Sequence, residues 1–281
     1  MVLPDNVVAA VNEGDVSAVA AWLDAGGDVN DVFGENTELY IQGDTMLMGL
    51  ADAESITSRN VALAKLLLQR GADLNRVSAV GDGGDGYSAL HCLIESMAIS
   101  NQLRDPAALV DILRIYLEAG ANVNHKNRRG DAPLGMAFKY RNWCGGDGQL
   151  RLALESVKLL LRAGASLDGC SILAGEERTA EQMLRARRDM PIENNETLAD
   201  KEHFLACEVM VAGVRAAGSW KAYARAPPKA LLRLRSLVAR GRARSVKRLR
   251  ARTPREIELL FAPSFPNELF WKVTEYWNPR A

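Results

Sequence analysis

The side chains best suited to acid–base or metal chemistry in this sequence are three histidines. His91, His125 and His203 lie far apart along the chain, and no nucleophile-elbow, zinc-protease, kinase or dinucleotide signature accompanies them. Catalysis by any of them would need partners assembled from distant positions. We therefore predict that the protein is not an enzyme and that it carries no cofactor.

The four cysteines are the next candidates for chemistry. Cys92, Cys144, Cys170 and Cys207 are separated by 52, 26 and 37 positions, and none of these intervals is a metal-ligand or redox spacing. Free cysteine usually packs as a small apolar residue, so we predict reduced thiols, no metal site and an intracellular location. Neither a secretory signal nor a membrane-length apolar run is present, and we expect no membrane partner.

One glycine-rich loop is suggestive of ligand binding. Residues 81–86 read Gly-Asp-Gly-Gly-Asp-Gly. A phosphate cradle would end in Gly-Lys-Ser or Gly-Lys-Thr, and a helix-loop-helix calcium site would place a glutamate at its twelfth position. Neither feature is present. The composition favours a turn-rich loop, and the alternative is an ion or partner contact.

The dominant feature of the chain is a repeated six-residue phrase. Each copy closes a leucine-rich stretch with helical spacing, and its glycine suits the left-handed conformation that ends a helix. An Asp, Asn or Ser follows, as expected of a turn. The four phrases occupy residues 25–30, 70–75, 119–124 and 163–168.

These phrases, together with a second recurring motif, resemble ankyrin repeats. In that family the first helix of each unit opens with a Thr-Pro-Leu-His-like tetrapeptide. The matching text is Thr-Met-Leu-Met at 45–48, Ser-Ala-Leu-His at 88–91 and Ala-Pro-Leu-Gly at 132–135, with a weaker echo at 179–182. The resemblance implies that His91 braces neighbouring hairpins through hydrogen bonds.

The resemblance implies an all-α fold. We predict an α-solenoid of about five ankyrin-like helix-turn-helix units over residues 1–217, the last unit being a degenerate cap. The phrases recur at intervals of 44, 49 and 44 residues, counted from Gly27, Gly71, Gly120 and Gly164. The family interval is about 33 residues, so every unit carries an insertion. The insertions fall near 32–43, 78–87, 96–105 and 140–148.

The resemblance also implies a function. An ankyrin-like array presents its hairpins and first helices as a concave surface, and loops on a rigid stack commonly carry binding specificity. We predict a non-catalytic protein–protein interaction scaffold. The alternative for any single loop side chain is that it is solvated or folds back onto its own unit. The exposed contact candidates are Phe33, Tyr40, Tyr87, Lys126, Arg128 and Arg129.

A second module is predicted at residues 218–281, where three short helices follow a Pro-Pro break. The last predicted helix begins Phe-Pro-Asn-Glu-Leu-Phe-Trp at 265–271 and resembles the opening helix of an F-box, whose usual text is Leu-Pro-x-Glu-Leu. Residues 232–242 followed by the Pro266 segment also resemble a SOCS box. Both resemblances imply a substrate-recruiting adaptor that binds ubiquitin-ligase subunits, and the alternative is a structural cap. The adaptor-helix residues are Pro266, Leu269, Phe270, Val273 and Trp277.

Charge is distributed unevenly along the chain. Residues 209–255 contain fourteen Lys or Arg and no Asp or Glu, whereas residues 1–208 contain 19 basic and 31 acidic residues. Clustered arginine can neutralise phosphates, so nucleic-acid binding through 233–255 is a further alternative. The densest basic run, residues 240–252, contains no aromatic residue. Stacking of nucleic-acid bases on aromatic side chains therefore has no support there. A solvated helix face or a nuclear-import patch would explain the same run.

Overall fold

A computed structural model describes residues 1–34, 42–78, 85–97, 104–139, 147–173, 175–188 and 202–225, apart from the side chains of 147–150. Over these residues the chain is mostly helical with one two-stranded sheet, which confirms the all-α class. The chain divides into two compact units, Met1–Ala212 and Gly213–Ala281. The division falls inside a helix, upstream of the boundary predicted at Gly218.

Ten helices and two strands are bounded within the described residues. The helices are α1 (Asp5–Glu13), α2 (Val16–Asp24), α3 (Met46–Asp52), α4 (Ser58–Gln69), α5 (Ala89–Ser96), α6 (Pro106–Glu118), α7 (Pro133–Lys139), α8 (Asp147–Arg162), α9 (Ala180–Arg188) and α10 (Glu202–Ala217). The strands β1 (Ser171–Leu173) and β2 (Glu176–Arg178) pair antiparallel between α8 and α9.

Side-chain caps define where several of the longer helices begin. Asp15 accepts hydrogen bonds from the backbone N–H groups of two residues in α2, and Asp105 accepts one from Ala107 at the start of α6. Thr57 caps α4. Such caps satisfy backbone donors that have no partner within the helix, and each stabilises its helix by about 1 kcal/mol.

The helices of unit Met1–Ala212 pack in two rows. Helices α1, α3, α5, α7 and α9 contact one another in that order, and α2, α4, α6 and α8 do the same. Consecutive helices α1 and α2, α3 and α4, α5 and α6, and α7 and α8 also contact each other. Each helix pair therefore covers the apolar face of the next pair.

The buried faces of α4 and α6 carry apolar side chains at helical spacing. Leu63 and Leu67 of α4 and Ile112 and Tyr116 of α6 are completely buried. Burial of a side chain of this size contributes about 1.5 to 3 kcal/mol. The Tyr116 hydroxyl donates to the carbonyl of Leu47 at 2.8 Å, so even the polar atom of this core ring has a partner.

The repeated phrase ends each second helix with a left-handed glycine. Gly26, Gly71, Gly120 and Gly164 have φ angles of 97°, 85°, 90° and 94°. A Cβ atom at any of the four would meet nothing within 4 Å, so backbone conformation and not space requires glycine there. The equivalent glycine of the first phrase is therefore Gly26, not Gly27.

Short hairpins precede the first helices. Val32 bridges Thr45, and Val77 bridges Ser88, each in antiparallel register. Before α7 the turn is tighter, with the Asn127 N–H donating to the Asp131 carbonyl at 3.0 Å. Strands β1 and β2 form the hairpin before α9. The first helices thus begin where the hairpins end, as the tetrapeptides predicted.

Helix α10 differs from its predicted orientation. The helical spacing of Phe204, Leu205, Val209 and Met210 predicts one apolar stripe, but Leu205 and Val209 are 43% and 64% exposed. The buried positions are Phe204, Cys207, Met210, Val211 and Val214. The buried face of α10 is therefore rotated relative to the predicted stripe, and Leu205 and Val209 face solvent instead.

The second unit is described only at its start. Gly213 lies against the ring of Tyr223, which a Cβ atom would displace. The rings of Trp220 and Tyr223 lie 5.6 Å apart between centroids. Among the helices that the structure describes, none has both the length and the apolar character needed to cross a bilayer.

Candidate functional site

Asparagine side chains join each turn phrase to the next. The last residue of each of the first three phrases is an asparagine, and its Oδ1 accepts from the backbone N–H of the fourth residue of the following phrase. The donor and acceptor pairs are Asp73 with Asn30 at 2.8 Å, Asn122 with Asn75 at 2.7 Å and Ser166 with Asn124 at 2.8 Å. We call Asn30, Asn75 and Asn124 the asparagine ladder.

Two of the three ladder asparagines make a second hydrogen bond to the following turn. Asn75 and Asn124 donate from Nδ2 to the carbonyls of Gly120 and Gly164, both at 3.2 Å. Each amide group therefore uses its donor and its acceptor on the same neighbouring turn. A hydrogen bond of this kind contributes about 1 kcal/mol, and less where water competes. The main effect is to fix the spacing of successive turns.

The hairpin before α7 carries three exposed basic side chains: Lys126, Arg128 and Arg129. The Lys126 ammonium pairs with the Glu177 carboxylate of the following hairpin at 2.8 Å. On the other side, Arg129 pairs with Asp85 of the preceding hairpin. We call these five residues the charged hairpin patch.

Within this patch, Arg128 is the basic side chain left for an external partner. Its backbone N–H donates to the Asp85 carbonyl at 2.8 Å, which fixes the main chain. Its guanidinium has no ion pair within the described residues. Exposed ion pairs contribute only about 0 to 1 kcal/mol each, so the flanking pairs orient the hairpin more than they stabilise it.

His91 braces two hairpins, as the resemblance implies. The backbone N–H of Ser88 can only donate, so Nδ1 of His91 accepts from it at 3.3 Å. Nε2 then carries the proton and donates to the Asp131 carbonyl at 3.1 Å. Burial lowers the pKa of His91 to about 4, which keeps the ring neutral. Both ring nitrogens are occupied by structural bonds.

The structure brings His91 and His125 together, although they lie far apart in sequence. Their rings meet edge to face with centroids 5.4 Å apart. Nε2 of His125 donates to the Gly86 carbonyl at 3.1 Å. The bonds made by these two histidines account for a structural role, and His203 lies on α10, partly exposed.

Two of the predicted contact residues are not exposed. Phe33 is completely buried and Tyr87 is 8% exposed, so their assignment to an exposed surface was wrong. In a hairpin, neighbouring side chains point to opposite faces, and both rings point inward. The Tyr87 ring stacks on His91 with centroids 5.6 Å apart. Lys126, Arg128 and Arg129 are exposed.

Several other predicted sites lie outside the described residues. These are Tyr40, most of the glycine-rich loop, Cys144, the basic segment 233–255 and the adaptor-helix residues Pro266, Leu269, Phe270, Val273 and Trp277. The remaining three cysteines, Cys92, Cys170 and Cys207, are buried free thiols, as predicted. Burial raises the pKa of the Cys170 thiol to about 12, which makes it a poor nucleophile.

A buried carboxylate with a full set of partners precedes α7. Asp131 accepts from the Lys139 ammonium at 2.8 Å and from the Ser171 hydroxyl. Its own N–H donates to Asn127 Oδ1 at 2.9 Å. Such a charge is tolerated in the interior because it is paired and hydrogen-bonded.

A second buried carboxylate, before α3, has a different environment. A carboxylate oxygen of Asp44, one of Asp52 and the Cys92 sulfur all lie within 4.8 Å of one another. Burial raises the pKa of Asp44 to about 7. Burial also raises the pKa of Asp52 to about 7, with Asp44 and Glu95 adding to the effect and Arg104 opposing it.

Sequence reasoning missed this group of three donors. Asp44 ends a hairpin, Asp52 ends α3, and Cys92 lies on α5, so no local spacing links them. The signal that could have found them is the repeat register, which places α3 beside α5.

No protein-family model matches the chain, and no curated protein matches it.

Proposed function

We propose that the protein is a non-catalytic scaffold that binds another protein through an ankyrin-like α-solenoid. The two rows of helices support this proposal because each helix pair repeats the packing of the one before it. The asparagine ladder supports it further, since the same atoms make the same bonds between successive turns. Repeating contacts of this kind are what a quasi-one-dimensional array requires.

The observation that carries the proposal is the charged hairpin patch. Ion pairs on both sides connect its central hairpin to its neighbours, so Lys126, Arg128 and Arg129 are presented on an ordered backbone. A surface that is ordered before binding loses little conformational entropy on association. Exposed side chains that are ordered before binding suit the recognition of a partner protein more than catalysis.

The chemistry of Arg128 within the patch favours an acidic partner. Arg128 supplies a planar guanidinium that can bind a carboxylate through two parallel hydrogen bonds. We therefore propose that the partner presents aspartate or glutamate side chains to this hairpin. Such contacts mainly accelerate association and weaken as salt rises. The buried free thiols are typical of a reducing compartment, so an intracellular location remains our proposal.

The adaptor role and the nucleic-acid role of the C-terminal residues remain predictions. A comparison of the full chain with a chain ending at Ala226 would separate these two roles from partner binding by the repeat array. Loss of ligase subunits alone from the captured proteins would favour the adaptor.

The scaffold proposal is tested by charge reversal at one position. The full chain, Arg128→Glu and the control Arg151→Glu are used to capture partners at low and physiological salt. Arg151 is exposed on α8, the second helix of the same pair, and so matches Arg128 in charge and exposure. We expect Arg128→Glu to lose partners that Arg151→Glu retains. Equal retention by both variants would contradict the proposal.

A further inference from the structure

Asp44, Asp52 and Cys92 form a compact set of potential metal ligands between α3 and α5. One donor atom from each lies within 4.8 Å of the other two. Asp44 is 1% exposed and Cys92 is 3% exposed, whereas Asp52 at the end of α3 is half-buried. Two of the three ligand groups are therefore buried, and the third lies at the solvent boundary.

The strongest indication of a missing partner is the Asp44 side chain. Its Oδ1 atom is buried and has no hydrogen-bond partner. An isolated carboxylate oxygen in the interior carries a desolvation cost that a partner normally offsets. Here the two other groups within reach are a second carboxylate and a thiol, and neither is a cation.

Arg104 interacts electrostatically with Asp52, but its guanidinium donates hydrogen bonds to other acceptors. The Arg104 guanidinium donates to the hydroxyl and carbonyl of Ser96, at 2.6 and 3.3 Å, and to the backbone carbonyl of Asp52 at 3.4 Å. Within the described residues, no ion pair joins a basic side chain to either carboxylate.

A position equivalent in the repeat register shows what would satisfy the aspartate. Asp44 immediately precedes the tetrapeptide 45–48, and Asp131 immediately precedes 132–135. Eight residues after each aspartate comes Asp52 in one case and Lys139 in the other. The Lys139 ammonium pairs with Asp131 at 2.8 Å. The Asp44 position therefore has a second acid where its equivalent has an internal cation.

We propose that Asp44, Asp52 and Cys92 bind a divalent metal ion of the zinc class. Two carboxylates and a thiolate match zinc, whereas magnesium and calcium prefer oxygen ligands alone. Three protein ligands leave one tetrahedral position for water. Zn–O bonds of about 2.0 to 2.2 Å and Zn–S bonds of about 2.3 Å would draw the donors closer together by up to about 1 Å. Rotation of the half-buried Asp52 supplies part of this movement and an entry path.

Metal binding has a defined proton balance. The Cys92 thiol, and Asp44 or Asp52 where it is protonated, give their protons to solvent as the metal binds, so binding strengthens as pH rises. The bound ion would join α3 to α5 and so connect two successive helix pairs. A ligand that binds only the folded chain raises its apparent stability.

The test uses the full chain stripped of metal and titrated with Zn²⁺, and separately with Co²⁺ as a spectroscopic probe. We expect one Zn²⁺ per chain, a raised melting temperature and a thiolate-to-cobalt charge-transfer band. Cys92→Ala should abolish the band, while the matched control Cys207→Ala, another buried thiol, should retain it. Asp44→Asn should weaken Zn²⁺ binding more than about tenfold.

Two results would overturn the proposal. One is the absence of Zn²⁺ uptake by the unmodified chain. The other is uptake that Asp44→Asn leaves unchanged, which would assign the metal to different residues. Asn occupies nearly the same volume as Asp, so Asp44→Asn keeps the test valid if Cys92→Ala fails to fold. Neither result depends on the charged hairpin patch, so the scaffold proposal stands or falls separately.

Discussion

Residues 44–52 and 131–139 occupy equivalent positions in two helix pairs, yet their buried charges are arranged in opposite ways. Asp131 is paired with Lys139 at 2.8 Å and also accepts from Ser171. Asp44 faces Asp52, and its Oδ1 has no hydrogen-bond partner. The same backbone framework thus holds one carboxylate that is internally neutralised and one that is not.

The difference separates a structural role from a ligand-binding role. A buried ion pair with its hydrogen bonds complete specifies the local packing, and removal of one partner leaves an uncompensated charge. A buried carboxylate without such a partner either takes up a proton, as the raised pKa of Asp44 indicates, or is stabilised by a bound cation. The site of Asp131, Lys139 of α7 and Ser171 of β1 is therefore neutralised by the chain itself, whereas the Asp44 site between α3 and α5 is not.

The largest expected effect comes from breaking the internally neutralised site. Asp131→Ala leaves the Lys139 ammonium and the Ser171 hydroxyl without their shared acceptor. We expect the free energy of unfolding to fall by about 3 kcal/mol, measured by chemical denaturation. A loss below about 1 kcal/mol would mean that water replaces the carboxylate. The ion pair at Asp131 would then not distinguish its site from the Asp44 site.

A smaller effect is expected from making the two sites alike. Asp52→Lys introduces at α3 the cation that Lys139 provides at α7. It removes the like charge beside Asp44 and supplies a donor to the buried carboxylate, so we expect a gain of about 1 to 2 kcal/mol in metal-free protein. The same variant should no longer take up Zn²⁺. If Asp52→Lys instead lowered the free energy of unfolding and left zinc uptake unchanged, the proposed difference between the Asp44 and Asp131 sites would be refuted.

The smallest expected effect concerns the brace between the two junctions. His91→Met places at α5 the residue type found at Met48 of α3, whose sulfur accepts from the Thr45 N–H at 3.5 Å. The bond from His91 Nε2 to the Asp131 carbonyl is lost. We expect a cost of about 1 kcal/mol at pH 7, again from chemical denaturation.

The same variant has a defined pH signature. Because burial lowers the pKa of His91 to about 4, the unfolded chain binds the proton more readily than the folded one. His91 therefore contributes its full stability above about pH 6.5 and loses it as the pH falls through 4. His125 and Asp131 are the titratable groups that face it. His91→Met should reduce the acid sensitivity, and an unchanged pH profile would contradict this assignment.

The sequence predicted the local features of the fold well. Leucine spacing and the turn phrases located the helices, because a helix and its glycine-ended turn are determined by neighbouring residues. The orientation of hairpin side chains was predicted wrongly for Phe33 and Tyr87, which are buried, because tertiary packing decides which face of a hairpin is covered. The group of Asp44, Asp52 and Cys92 was also missed, because only the packing of α3 on α5 brings it together.

The central claim is that successive turns are joined in one repeating register, and amide hydrogen exchange tests it most directly. Asp73, Asn122 and Ser166 are exposed residues whose N–H groups donate to the asparagine ladder. We expect all three amides to exchange slowly despite their exposure, and Asn75→Ala to accelerate exchange at Asn122 more than at Ser166. Fast exchange at all three in the unmodified chain would contradict the claim.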